Sequence, residues 1–337
     1  MDSRQLFKEP ALKEEFLDRF AEMKAATAAA GGGLEGLEGG GYGLDDARGV
    51  AESMAEGRYD PGAEPGLEAI IERFTRPVYL VQGSTFVVPP DTFPNSDVIA
   101  DQLKRARTAL EGVIPSVGRI DVRNHRLDWI GTGWIVDSDI VVTNRHVANE
   151  FARQDNGGFV FRKNFNGSTV AATVDWRHEF QRGDESRFRV TEVVWIEPED
   201  SVDVGILRIA RSGEAGEAAP APIGLMTRAE IDAISQGAWV SVIGYPAFDS
   251  RNSAPDQQRI FDGVFDVKRL APGQVTFFEQ QVLLHHDATT LGGNSGSVVF
   301  DLDSGKAIGL HFGGIEGNRN EAVQAARLQE IIAQHAN

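Results

Sequence analysis

From about Ile114 onward the chain is a succession of short β-rich runs, and this pattern limits its fold more than any other feature. WIGTGWIV (129–136), DIVVT (139–143), FRVTEVVWIE (188–197), VGILRI (204–209), AWVSVIG (238–244), QVTFFEQQVLL (274–284), SVVF (297–300) and AIGLHF (307–312) are separated by turn residues. Strands at such intervals, without helical patterns between them, favour an all-β core built as a sandwich or a pair of barrels over a parallel α/β sheet. A last helix is expected over roughly Glu321 to Gln334.

The residues before Ile114 read differently. Leu12, Phe16, Phe20 and Met23 recur at helical spacing, and the glycine-rich stretch AAAGGGLEGLEGGGYG (28–43) then has the composition of a linker. Residues 1–43 are therefore expected to form a mobile helical arm. A second helical patch (Leu67, Ile70, Ile71, Phe74) leads to a strand-like run, Val78 to Val81, and to the proline-broken loop VVPPDTFPNSD (87–97). A third helix opens near Ser96, carries Ile99, Leu103, Ala106 and Leu110 on one face, and stops at Pro115. Residues 44–113 are expected to be a helical adapter or regulatory region, and 114–337 the β-rich domain.

Composition removes several classes of function. With 33 Lys and Arg against 50 Asp and Glu, the net charge of −17 argues against a nucleic-acid partner, whose phosphates need cations. No apolar run approaches the roughly 18 residues of a membrane span, so no membrane role is expected. The chain has no cysteine, and its first ten residues lack the basic start and apolar run of a secretory leader; the expectation is a cytoplasmic protein.

Three segments carry chemistry. In TTLGGNSGS (289–297) a serine is flanked by glycines just before a strand. Small neighbours allow a carbonyl to approach Ser295, and the amides of Gly293 and Ser295 can both face a developing oxyanion. Taken alone the string is also an ordinary glycine-rich turn. Serine needs a base, and His146 sits in VTNRHVA (142–148) at the end of a strand. The base needs a carboxylate, and Asp203 opens the apolar strand DVGILRI (203–209), although a turn aspartate would look the same.

Together these segments resemble the trypsin-like serine peptidases over roughly Ile114 to Asn337. TNRHV looks like the family's histidine box, DVGILRI its aspartate strand and GGNSGS its serine loop. The resemblance implies two perpendicular six-stranded β-barrels with a C-terminal helix, here preceded by a mainly helical N-terminal extension. It implies a catalytic triad of His146, Asp203 and Ser295 that hydrolyses a protein or peptide substrate through an acyl-enzyme, with no metal or organic cofactor. The alternative is a catalytically silent scaffold on the same fold, against which the intact trio speaks.

Within the family the serine loop and IGLHFGG (308–314) look most like the bacterial glutamyl endopeptidases. That likeness implies that Thr290 and His311 contact an acidic side chain, and that Phe312, Gly313 and Gly314 offer backbone groups to an extended substrate. His311 is equally readable as a wall residue with no role in charge selection. Asn294 stands where digestive members carry the aspartate that pairs with a newly cut N-terminus, so that activation route is not expected here. Residues 1–113 carry no catalytic signature, and a regulatory partner acting through them is a further expectation.

Overall fold

The computed structural model describes residues 6–29, 42–60, 63–87, 96–250, 254–315 and 319–336. Most of the glycine-rich linker and of the proline-broken loop lies outside them. The N-terminal part comprises α1 (Pro10–Ala29), α2 (Leu44–Ala55), α3 (Pro65–Thr75), the hairpin strands β1 (Tyr79–Gln82) and β2 (Thr85–Val87), and α4 (Asp97–Val113). Helix α4 starts where the sequence places it. The Ser96 side chain accepts from the Ile99 amide, and Ile99, Leu103, Ala106 and Leu110 are all buried. Glu15 of α1 adds a second cap from outside, accepting from Ser96 Oγ at 2.8 Å and from the Asp97 amide.

Of the expected arm, the described residues 6–29 pack against the rest of the chain. Leu6, Phe7, Leu12, Phe16 and Phe20 are all buried. Phe16 meets Phe7, Phe20 and Phe74 at centroid distances of 5.3, 5.7 and 5.4 Å, so one aromatic cluster ties α1 to α3. The linker composition was a poor guide because the apolar face of α1 has a partner surface that composition does not disclose.

The chain continues through β3 (Val117–Arg123), β4 (Trp129–Ile135), β5 (Ile140–Thr143), α5 (Arg145–Phe151), the small hairpin β6 (Ala152–Asp155) and β7 (Gly158–Phe161), β8 (Ala171–Asp175), β9 (Arg187–Ile196) and β10 (Gly205–Ile209). Six of these strands close into a barrel in the order β10-β5-β4-β3-β8-β9, antiparallel throughout. Next come α6 (Arg228–Asp232), β11 (Trp239–Gly244), α7 (Ala254–Phe261), β12 (Arg269–Glu279), β13 (Leu283–His286), β14 (Val298–Asp301), β15 (Lys306–Ile315), β16 (Arg319–Gln324) and α8 (Ala325–His335). In the second barrel the order is β11-β14-β15-β16-β13-β12, and pairing of β11 with β12 closes the ring. The all-β core of two six-stranded barrels, with a C-terminal helix and a helical N-terminal region, is the architecture anticipated.

One boundary moves. Residues 321–324, expected to begin the last helix, belong to β16, because the second barrel needs a strand between β13 and β15. Leu283 and Leu310 both pair with Val323 there. The hairpin β1–β2 extends the same sheet, Tyr79 pairing with Leu270 and Leu80 with Arg269, while the Val81 carbonyl accepts from the Phe180 amide of the first barrel. A single apolar cluster runs from Leu6, Phe16 and Phe74 through Trp134 and Ile206 to Phe300 and Leu328. Residues 43 and 113 are therefore not breaks in packing.

Because Phe16 is buried among three other aromatic rings, Phe16→Ala should destabilise the protein by about 3–5 kcal/mol. Chemical denaturation of the full chain measures it, and an unchanged midpoint would mean that α1 is not docked.

Candidate active site

Strand register brings the predicted histidine and aspartate together. The first residue of β10, Gly205, pairs with Thr143, the last residue of β5. Asp203 lies two residues before that pair and His146 three after it. Asn144, in extended conformation, starts α5, so His146 emerges on the helix's first turn. Gly205 lets this turn lie close: a Cβ there would come within 3.0 Å of the Ala148 Cβ and 3.2 Å of the Asn144 carbonyl oxygen.

The result is a tight pair. His146 Nδ1 lies 2.6 Å from Asp203 Oδ2, and the His146 amide donates to Oδ1 at 3.0 Å. An ionised carboxylate only accepts, so Nδ1 carries the proton and Nε2 is left with its lone pair free. Burial is graded along the pair, the Asp203 side chain being 13% exposed and that of His146 49%. The Asp203 loop is held by neighbours of the histidine: Asn144 Nδ2 donates to the Asp203 carbonyl at 3.0 Å. Arg145 Nη1 reaches the carbonyls of Pro198, Ser201 and Val202 at 2.6, 3.0 and 3.2 Å. Sequence reasoning passed over Arg145, although it adjoins the histidine.

The serine loop is bonded across to the first barrel. The Thr132 amide of β4 donates to the Ser295 carbonyl at 2.9 Å, and Thr132 Oγ1 donates to the Gly293 carbonyl at 2.9 Å. Gly131 is the meeting point: a Cβ there would lie 2.9 Å from Val147, the neighbour of His146, and 3.1 Å from the Ser295 carbonyl oxygen. Gly293 and Gly296 both have positive φ, 86° and 88°. A side chain at Gly296 would also come within 2.0 Å of the Thr132 carbonyl oxygen, so glycine is obligatory there. The amides of Asn294, Gly296 and Ser297 donate to backbone carbonyls, whereas among the described residues those of Gly293 and Ser295 donate to none.

The predicted pocket residues are brought to the same barrel. Thr290 Oγ1 donates to Asn320 Oδ1 at 2.8 Å, and Asn320 Nδ2 to the Ala288 carbonyl at 2.7 Å. His311 is buried, with Nδ1 3.2 Å from Nε2 of His286. Burial pushes His286 down to about 3 and is the main cause that holds His311 well below the usual range; a charge placed on His286 or His146 would act in the same sense. The sequence reading takes His286, the residue before Asp287, as a structural histidine and does not single out Asn320; the pairing of β16 with β13 sets both beside Thr290 and His311. Strand β14 pairs with β15 only as far as Leu310, and Gly296 and Ser297 bond to His311. Phe312, Gly313 and Gly314 then run on along an edge with no strand partner on that side among the described residues.

The trypsin-like peptidase domain matches residues 131–310. A probable serine protease of Lysobacter enzymogenes is 29% identical over 289 residues, covering 78% of this chain and 73% of that protein. Among solved structures, the Rv3671c protease of M. tuberculosis in its active form is 20% identical with a TM-score of 0.47, covering 74% of this chain and 94% of that one. The serine endoprotease of Yersinia pestis is 16% identical with a TM-score of 0.44, covering 68% and 65%. The matched span takes in His146, Asp203 and Ser295 and more than half of the chain, and on that ground this chain belongs to the trypsin-like peptidase family.

Proposed function

We propose that this chain is a serine endopeptidase working through an acyl-enzyme. The observation that carries the proposal is the His146–Asp203 pair, oriented by two contacts, beside a serine loop bonded to the same barrel. Ser295 Oγ attacks the scissile carbonyl carbon while His146 Nε2 takes its proton. The oxyanion so formed accepts hydrogen bonds from the amides of Gly293 and Ser295, which have no backbone acceptor of their own. Collapse of the intermediate breaks the C–N bond, and the leaving amine takes the proton from His146. Water then repeats the sequence on the ester, and Ser295 recovers its hydrogen. Asp203 keeps the proton on Nδ1 and stabilises the imidazolium throughout. Phe312, Gly313 and Gly314 supply the edge along which an extended peptide pairs. A silent scaffold would have no use for so constrained a dyad.

The proposal extends to an acidic side chain on the acyl side of the cleaved bond. Thr290 and His311 are the residues that support it, and the neutral state imposed on His311 by burial sets its pH dependence. A lowered histidine pKa means that the proton is absent at neutral pH and is recovered as pH falls or as a substrate carboxylate arrives. Preference for Glu over Gln in otherwise identical peptides should therefore strengthen as pH falls below the ordinary histidine range. It should reach about tenfold in kcat/KM, the worth of one charge-assisted hydrogen bond, and be lost in His311→Gln. A preference for basic or aromatic residues in a peptide-library cleavage profile would overturn the acidic specificity.

Ser295→Ala should remove fluorophosphonate labelling and peptide hydrolysis while leaving the melting temperature unchanged. Asp203→Asn should lower kcat by about 10⁴-fold through loss of the productive tautomer. Labelling that persists in Ser295→Ala would reject the assignment of the nucleophile.

A further inference from the structure

The backbone that leads into the serine loop is seated on the end of α3. Arg76, the residue at the C-terminal end of that helix, is fully buried, and its guanidinium grips Asp287 through two bonds, Nε to Oδ1 at 2.7 Å and Nη2 to Oδ2 at 2.6 Å. Nη1 donates to the Thr75 carbonyl at 2.6 Å and Nη2 also to Gln274 Oε1 at 3.0 Å. The Gln274 amide donates in turn to Asp287 Oδ1 at 2.6 Å. Two residues further on, Thr289 Oγ1 donates to the Arg76 carbonyl at 2.9 Å, with Glu72 Oε1 3.3 Å away. Next in the chain is Thr290, bonded to Asn320, and five residues later is Ser295.

From Asp287 to Ser297 the chain belongs to neither helix nor strand. Backbone bonds hold its far end, Gly292 to Ser297, whereas over Asp287–Thr290 the one backbone bond among the described residues, from the Asp287 amide to the Gln274 carbonyl at 3.2 Å, is supplemented by the side-chain bonds above. A buried Arg–Asp pair is weak evidence of net stability, because desolvation offsets the attraction, but its planar fork fixes position and angle. The partners here are a helix end in the N-terminal region and the segment beside the pocket, 211 residues apart in sequence.

We propose that the end of α3 is a built-in ordering element for the segment Asp287–Thr290, with Arg76 as its positioning residue. It holds the pocket wall in the conformation that receives a peptide, which makes the N-terminal region a working part of the peptidase and not an inhibitory appendage. The inference rests on the peptidase function proposed above.

The test uses the full chain as wild type, Arg76→Lys, which keeps the charge but loses the fork, and Thr289→Val, which removes only the hydroxyl. In both variants, amides of 287–297 should exchange hydrogen faster while those of β3, β4, β5 and β11 keep their protection. Peptide kcat/KM should fall by about tenfold, the worth of one charge-assisted hydrogen bond, with the loss in KM and in side-chain selectivity rather than in fluorophosphonate labelling of Ser295. Unchanged exchange at 287–297 in a folded variant overturns the inference. So does faster exchange spread evenly over both barrels, which would mark Arg76 as a structural residue only. Should Arg76→Lys fail to fold, Thr289→Val decides by the same readouts. A wild-type chain whose Ser295 does not label sinks the peptidase function instead, and the exchange data still decide whether Arg76 orders the segment.

Discussion

Thr132 joins the two barrels at the point where the chemistry is assembled. Its amide and hydroxyl donate to the carbonyls of Ser295 and Gly293, its carbonyl accepts from Thr143 Oγ1 at 2.7 Å, and its Oγ1 accepts from the Tyr245 amide at 3.2 Å. One residue of β4 is thus bonded to the serine loop, to the end of β5 that launches His146, and to the segment after β11. Three of the four bonds use the hydroxyl of Thr132 or Thr143 and every one has a backbone group at one end at least, so the path of the chain and two short side chains set the arrangement. The glycines follow from it. With the Thr132 carbonyl lying where a Gly296 Cβ would stand, no other residue fits beside Ser295.

The N-terminal region is built into the same joint from the other side. Strand β1 adds to β12 while Val81 accepts from the first barrel, so one short strand touches both barrels. Beside it Lys268 is wholly buried, its ammonium donating to the carbonyls of Ile114 and Trp176 at 3.0 and 2.7 Å, with Glu179 Oε1 at 3.5 Å. Burial brings that lysine down to about 8, and Glu179 opposes the shift. Glu179 in turn accepts from the Ser84 amide in the β1–β2 turn and pairs with Arg182. Buried charges of this kind contribute little net stability, yet each can be satisfied in one docking geometry only. They fix how the hairpin sits, and the apolar cluster of α1 and α3 supplies the driving force for it to sit at all.

Much of this was legible in the sequence, and the limits have physical causes. Most barrel strands show as alternating or apolar runs, but β3, β8 and β16 do not stand out and β12 and β13 read as one run; α4 shows through the Ser96 cap, the spacing of its apolar residues and Pro115. His146 and Asp203 were identifiable because their local strings are short and their neighbours apolar, and the register of β5 with β10 brings them together. What escaped depends on non-local contact. The C-terminal helix was begun four residues early because Glu321–Gln324 is a strand only by virtue of β13 and β15. The arm was expected to be mobile because a glycine-rich tract says nothing about what the preceding helix packs on. His286 reads as a structural histidine until His311 is set beside it, Asn320 carries no motif, and Arg76 becomes meaningful only when Asp287, far along the chain, is set against it.

The two histidines near the serine sit in different surroundings. His146 is half exposed and faces a carboxylate. His311 is sealed in the second barrel, and the ring nearest to it is another histidine that burial also keeps neutral. In the proposed mechanism a proton leaving Ser295 goes to His146. A charge on His146 makes protonation of His311 harder still, since the two repel. On the proposed function, His146 is the acid–base group on the face open to substrate, while His311 takes a charge only against a carboxylate brought from outside. Burial is the main difference between the two.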